Sequence, residues 1–373
     1  MNLASHVRTA AASAPVRTVA VDARTLEQKG KGVPRFLFET LRELAADPTL
    51  KLVLFSNRPL HPDNALPVET VIDAAWGKVP GTAWVMARLN QLAVRAGADV
   101  VWGPAHIVPP RHKRLRSVIT VHDLVYRIMP RSMGRWNRLV SELLISRSIR
   151  RADYVVADSE ATKSDVVSLI GLDAGGIETI YLGTRMAPPD LVAQSAAPRD
   201  ATDGYLFALG SIEPRKNIEG LLDCLAPLRL RIPALAVHLT GAHSWSAADT
   251  LARIRDDAAC RLLGFLSDRQ IAEQLTGARA FVMPSHYEGF GLPLLEAVDL
   301  APIIAADIPV FRELGQYIDG ICFVDFGSPN QAAATIAAFL ASTPPPARFK
   351  PGAEDMFRWS TVARRYADVF SAA

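Results

Sequence analysis

Cysteine is scarce in this chain, with only Cys224, Cys260 and Cys322 in 373 residues. They are odd in number and far apart, which excludes a disulfide framework and the paired spacing of a zinc site. A reducing cytoplasm is the expected compartment. Long apolar runs are also missing. No stretch reaches the ~18 residues that a membrane-spanning helix needs. The opening MNLASHVRTAAASAP is Ala-rich but holds no proper apolar run, so it reads as a frayed leader and not a signal peptide. Familiar catalytic strings are absent as well. There is no D-x-D, which argues against metal-bridged phosphate binding, and no H-E-x-x-H, G-x-S-x-G or Walker A sequence. Neither a cofactor nor a metal is expected.

Hydrophobic residues make up 49% of the chain. That is enough for two cores, and the length suits two domains of about 100–200 residues each. The net charge of +3 conceals an asymmetry. Between Val108 and Arg151 stand eleven Lys and Arg against Asp123 and Glu142, a local charge of +9; the remainder of the chain carries −6. A basic face of this kind, spanning Arg111 to Arg151, attracts polyanions or an anionic membrane surface. Only Tyr126 and Trp136 interleave its charges, so a nucleic-acid partner is disfavoured.

Short apolar strands alternate with amphipathic helices throughout, the pattern of parallel sheets wound on both faces. Thr18–Val21, Leu50–Phe55, Asp99–Trp102, Ser117–Val121 and Tyr154–Ala157 read as strands of a first domain. Val33–Leu44, Ala83–Val94 and Arg135–Ile149 read as its helices, with another starting at Ser159. Met186 to Gly204 shows no apolar period and reads as a linker. The alternation then resumes, with strands at Tyr205–Leu209, Ala234–Leu239, Arg261–Leu263, Ala280–Met283 and Pro302–Ala305. The expected division is residues 1–185, residues 186–355, and a last helix in 356–373 that packs back on the first domain.

Ligands of open α/β sheets sit outside the carboxyl ends of the strands. Four junctions there carry polar groups. Ser285-His286-Tyr287-Glu288-Gly289-Phe290-Gly291-Leu292 joins a strand to a helix. Its glycines let backbone N–H groups approach a ligand, and unpaired N–H groups at the helix start seat a phosphate or a sugar hydroxyl. Glu296, inside that helix, suits paired ribose hydroxyls. Gly210-Ser211-Ile212-Glu213-Pro214-Arg215-Lys216-Asn217 opens another helix. Two cations face the wrong end of its dipole, a cost that a bound diphosphate would offset, with Lys216 as point charge and Arg215 as fork. The alternative is a solvated basic turn. His122-Asp123 ends a strand, and the histidine either meets a sugar hydroxyl or serves structure. Lys29-Gly30-Lys31-Gly32-Val33-Pro34-Arg35 lacks the dinucleotide-binding spacing but offers N–H groups to a phosphate or to the acceptor.

Together these strings resemble the retaining GT-B glycosyltransferases of family 4. Glu288 and Glu296 match the E-x7-E signature of that group. The EPRKN string (Glu213 to Asn217), His122-Asp123 and VADSEATKSDV (Val156 to Val166) agree in order and spacing. The resemblance implies two Rossmann-like doubly wound domains flanking an interdomain cleft, with an acceptor-binding first domain and a donor-binding second. It implies that Glu288 contacts the transferred hexose and that the amides of Gly289, Phe290, Gly291 and Leu292 hold hexose hydroxyls and phosphate. It places Glu296 on the ribose, Lys216 and Arg215 on the leaving diphosphate, and His122 beside the hexose. Gly32 would approach the diphosphate, and the Gly264–Asp268 loop, with Leu266 and Asp268, would recognise the base. Many members carry Gly-Arg where this chain has Gly210-Ser211, so one phosphate cation is replaced and Arg215 carries more.

The implied activity is metal-independent hexosyl transfer, mannose from GDP-mannose by preference, to a lipid-linked or saccharide acceptor in surface-polysaccharide synthesis. The chain would work in the cytoplasm, peripheral on the inner face of the membrane. A nucleotide-sugar 2-epimerase of the same fold, or a non-catalytic member of a polysaccharide complex, are the alternatives.

Overall fold

The computed structural model describes residues 16–30, 32–132, 134–195, 204–241 and 248–373. The leader, Lys31 and part of the expected linker lie outside these. Two parallel sheets form the molecule. The first contains β1 (Arg17–Asp22), β2 (Leu50–Ser56), β3 (Glu69–Ile72), β4 (Val100–Gly103), β5 (Arg116–Val121), β6 (Tyr154–Ala157) and β7 (Ile177–Thr179). Its order is β3-β2-β1-β4-β5-β6-β7. The second contains β8 (Gly204–Leu209), β9 (Leu235–Thr240), β10 (Cys260–Leu262), β11 (Ala280–Met283), β12 (Ile303–Ala306) and β13 (Ile321–Val324), ordered β10-β9-β8-β11-β12-β13.

The central strands are buried on both faces because helices cover both. Val19, Ala20, Val21, Val100, Trp102, Phe281, Ile303 and Ile304 have no exposed surface. In each sheet the order reverses beside its first strand. β1 lies between β2 and β4, and β8 lies between β9 and β11. These are the switch points where strand-end loops splay apart and leave a crevice.

The last helix, Trp359–Ala372, returns to the first sheet. Its Tyr366 hydroxyl pairs with Thr120 Oγ1 at 2.9 Å, and the same oxygen accepts a 3.0 Å hydrogen bond from Trp102 Nε1. Phe36 on the Val33–Leu44 helix, Trp102, Tyr366 and Phe370 form a buried aromatic cluster.

Some elements differ from the sequence reading. Pro189–Ser195, inside the expected linker, is a helix whose Leu191 is buried. Seven residues are too few for an apolar period to declare itself. The Ala83–Val94 region is helical but contains a π turn at Val85–Leu89. β3, β7 and β13, short or peripheral strands, escaped the periodicity reading.

Phe370 is fully buried at this junction. Phe370→Ala is expected to cost about 3–5 kcal/mol through lost packing and the cavity it leaves. Urea denaturation of the purified chain checks this, with an unchanged midpoint counting against the packing role.

Candidate functional site

Loops from the carboxyl ends of both sheets meet at one cleft of about 490 Å³. From the first sheet come Gly32 and Val33 after β1, His122 and Asp123 after β5, and Asp158 after β6. From the second come Gly210, Ser211, Arg215 and Lys216 after β8, and Thr240 and Gly241 at the end of β9. Glu288 to Pro293 and Glu296 follow β11. Each is positioned by a buried strand that fixes the base of its loop.

Glu288 lies at the centre, buried. Its Oε2 is 2.6 Å from an Arg215 guanidinium nitrogen, and its Oε1 is 2.6 Å from Lys216 Nζ and accepts a 2.7 Å hydrogen bond from Ser285 Oγ. Burial alone would raise the Glu288 carboxyl, but Lys216 and Arg215 together outweigh it and hold the group below its ordinary range. Arg215 also donates to Glu213 at 2.8 Å, and Ser211 Oγ donates to the same Glu213 oxygen at 3.0 Å. Burial pulls the guanidinium down, and Glu288 and Glu213 more than restore it, so Arg215 stays charged. Ser211 thus steadies the acid that aims Arg215.

Gly289 is where the two halves touch. A Cβ built there would lie 1.7 Å from the His122 carbonyl oxygen, so only glycine permits this approach. The Gly289 carbonyl accepts hydrogen bonds from Ser159 Oγ (2.6 Å) and Thr162 Oγ1 (3.0 Å) of the first domain. Tyr287 donates its hydroxyl to Asp165 at 2.9 Å and accepts from the Leu124 amide at 3.1 Å. Glu313, from the second domain, takes the Glu160 and Ala161 amides at 2.8 and 3.0 Å. A carboxylate is favourable at the start of a helix. The VADSEATKSDV stretch is therefore the strip that receives the second domain.

His122 has both ring nitrogens engaged within the protein. Nδ1 is 2.5 Å from Asp158 Oδ2, and Nε2 donates to the Pro104 carbonyl at 2.7 Å. Burial would lower the imidazolium, yet Asp158 outweighs it and the group is raised above its ordinary value. The neighbouring His106 ring, 5.1 Å away, is pushed down to about 4 by burial and by His122, and so stays neutral beside it. The expectation that His122 hydrogen-bonds a sugar hydroxyl is corrected on this point. Its ring lines the cleft, but no ring nitrogen is available to a ligand in this arrangement.

The structure brings Gly32, His122, Ser211, Arg215, Lys216, Leu266, Glu288, Gly289, Phe290, Gly291, Leu292 and Glu296 into the cleft wall. Asp268 is not among the lining residues. It is the first residue of the Asp268–Gly277 helix, and its carboxylate turns to Arg35 (3.2 Å) and Arg185 (2.6 Å). Glu296 is ion-paired with Arg35 across the cleft. Gly291 has φ +100°, which opens the helix start at Leu292. Sequence reasoning missed Phe36, Asp158, Thr240 and Phe265 as lining residues, and Glu213 as the support of Arg215. Asp158 stood inside a motif already noted; Phe265 stood inside the Gly264–Asp268 loop and went unremarked.

Residues 30–187 match the family described as Glycosyltransferase Family 4, and residues 193–356 match the one described as Glycosyl transferases group 1. The chain belongs to the GT-B glycosyltransferases of family 4. Among similar proteins is the O-antigen chain mannosyltransferase B of Escherichia coli, 29% identical over 242 residues, 61% of this chain and 62% of that protein. The serotype-specific mannosyltransferase WbdA of Escherichia coli is 29% identical over 156 residues, 40% of this chain but 18% of that protein. The chain therefore spans less than two thirds of the length of these relatives. Of solved structures, WaaG, a glycosyltransferase involved in lipopolysaccharide biosynthesis, shares the fold at TM-score 0.65 and 15% identity, over 94% of this chain and 95% of that one. Anabaena HepE, solved with UDP and glucose, does so at TM-score 0.65 and 18% identity, over 96% and 100%.

In this GT-B chain Asp158 alone opposes the burial of His122. Asp158→Asn is expected to drop the His122 pKa below its ordinary value, read by NMR titration of the ring. The sign is definite: the raised pKa stabilises the fold at pH below the ordinary histidine value, and this is lost as pH rises past the raised one. The variant's pH–stability curve should lose that feature. A His122 titration unmoved by the substitution would reject the account.

Proposed function

We propose that this chain is a retaining hexosyltransferase that moves mannose from GDP-mannose to a lipid-linked or saccharide acceptor in surface-polysaccharide synthesis. The observation that carries the reading is the buried Glu288 held between Arg215 and Lys216 on the wall of the inter-sheet cleft. Lys216, Arg215 and the amides of Phe290, Gly291 and Leu292 supply fixed positive charge where a diphosphate would depart. Preorganised charge of this kind stabilises a transition state without reorganisation cost. No metal takes part in the proposed reaction.

The pair of cations exchanges partners when the donor enters. As phosphate oxygens take up Lys216 and Arg215, the Glu288 carboxylate is released to a hexose hydroxyl. The anomeric carbon gains oxocarbenium character as the diphosphate leaves. The acceptor attacks from the same face, and the leaving phosphate takes its proton. Glu296 would bind ribose once Arg35 yields, and the exposed Phe265 ring, beside Leu266, offers a stacking face to the base. Mannose is chosen because the similar O-antigen enzymes are named mannosyltransferases. The net positive Arg111–Arg151 stretch would hold the chain against an anionic membrane surface, where a lipid-linked acceptor waits.

Glu288→Ala and Lys216→Ala are each expected to lower kcat/KM at least 100-fold in a radiolabelled GDP-mannose transfer assay, and EDTA is expected to change nothing. Near-wild-type transfer by both variants, or loss of activity with EDTA that a divalent cation restores, would overturn the reading. Release of free epimerised sugar without an acceptor would favour the epimerase.

A further inference from the structure

We propose that the outward face of the Arg135–Arg151 helix inserts into the headgroup layer of an anionic lipid bilayer and carries the cleft to it. This deepens the membrane partner named above by assigning it to one surface.

The Trp136 side chain is 74% exposed, Leu139 49%, Val140 37% and Leu143 50%. At 100° per residue, positions 136, 139, 140 and 143 fall within an arc of roughly 100°, and Arg147 and Arg150 continue it. The opposite face is accounted for by Ile145, Ser146, Ser148 and Ile149, which pack on the first domain. The helix therefore shows the protein one face and solvent an apolar stripe about 10 Å long. Apolar surface gathered in this way marks an interaction site. Ile128, also exposed, belongs to the short Val125–Ile128 helix, which Arg127 ties to this one through Glu142.

Charge decides the occupant. Among the described residues, the ion pairs made by the lysines and arginines of this stretch are Arg127–Glu142 and Arg116–Asp153. Lys113, Arg114, Arg131, Arg138 and Arg147 surround the stripe with uncompensated positive charge. A Trp-tipped apolar stripe flanked by arginines fits an interfacial helix, with the apolar side chains among acyl chains and the guanidinium groups on phosphates. A second copy of this chain would bring like charges together. No described helix is long and apolar enough to cross a membrane, so the contact is superficial.

Topology puts the stripe at the useful end. β5 ends at Val121, and His122 and Asp123 line the cleft. The chain then turns into the Arg135–Arg151 helix, which runs back to feed β6 at Tyr154. Its first half, which holds the apolar residues, lies toward the carboxyl edge of the sheet, the edge that carries the cleft. A lipid-borne acceptor would be presented there.

The test is co-sedimentation of the purified chain with vesicles of 70% phosphatidylcholine and 30% phosphatidylglycerol, alongside pure phosphatidylcholine vesicles. Wild type should bind the mixed vesicles at least tenfold more tightly. Leu139→Glu/Leu143→Glu should lose at least tenfold, and Arg138→Ser/Arg147→Ser should reduce both affinity and salt sensitivity. The blue shift of tryptophan emission on binding should disappear in Trp136→Phe. Thermal midpoints should match wild type because these side chains are exposed. No binding by wild type, binding unchanged in both double variants, or a dimer that Leu139→Glu/Leu143→Glu dissolves would each overturn the proposal. Transfer to a water-soluble acceptor should survive in the double variants. Vesicle binding without any transferase activity would remove the proposed function and leave this surface standing.

Discussion

A buried carboxylate between two cations organises this molecule. Glu288 contacts Arg215, Lys216 and Ser285, and so ties the loop after β11 to the loop after β8. The desolvation of such a cluster is expensive, and a buried ion pair is weak support for stability on its own. Its arrangement makes sense as a charge store. Arg215 is shared between Glu288 and Glu213, so the two cations and two acids balance. A polyanion entering the cleft finds cations already fixed in place and an acid ready to be displaced. At an effective dielectric near 20, unit charges about 4 Å apart interact by about 4 kcal/mol, enough to make the exchange worthwhile.

The cluster depends in turn on how the two sheets meet. Gly289, next to Glu288, lies against the His122 carbonyl, and its own carbonyl is held by Ser159 and Thr162. The loop that carries the central carboxylate is thus also the contact between domains. Moving the domains apart would take the Gly289 carbonyl from its two hydroxyl donors and leave the Glu160 and Ala161 amides without Glu313. The grip on Glu288 and the closure of the cleft are mechanically one event. Closure also keeps water from the reacting centre, which a transferase needs if its donor is not to be hydrolysed.

Much of this was legible in the sequence because it depends on neighbours along the chain. Buried strands such as TVAV and AFVM, each followed by a glycine-containing loop and a helix, declared both sheets and the edge on which a ligand sits. Glu288, Lys216 and Arg215 were found because they stand at those junctions. What remained hidden depends on residues far apart. Nothing local to Gly289 announces the His122 carbonyl, nor does Glu296 announce Arg35 or Glu160 announce Glu313. His122 was seen, but Asp158 and Pro104, which occupy its ring nitrogens, come from two other loops. The Arg135–Arg151 helix shows a different blindness. Its charges can be counted from letters, whereas its apolar stripe could face inward or outward, and only packing decides.

That helix and the cleft belong to one constraint. In a doubly wound sheet every crossover begins at the carboxyl edge, so the polar loops of the site and the first turns of the covering helices are neighbours by construction. The loop after β5 supplies His122 and Asp123 to the cleft wall and then leads to the helix that bears Trp136, Leu139 and Leu143. Anything that holds the outward face of this helix also holds the orientation of the cleft. The Arg127–Glu142 pair and the Tyr126–Ser146 hydrogen bond of 3.0 Å brace the segment between them. A membrane contact at this face would therefore fix which way the cleft opens, and with it the direction from which an acceptor must arrive. The same strand end serves the chemistry on one side and the docking on the other.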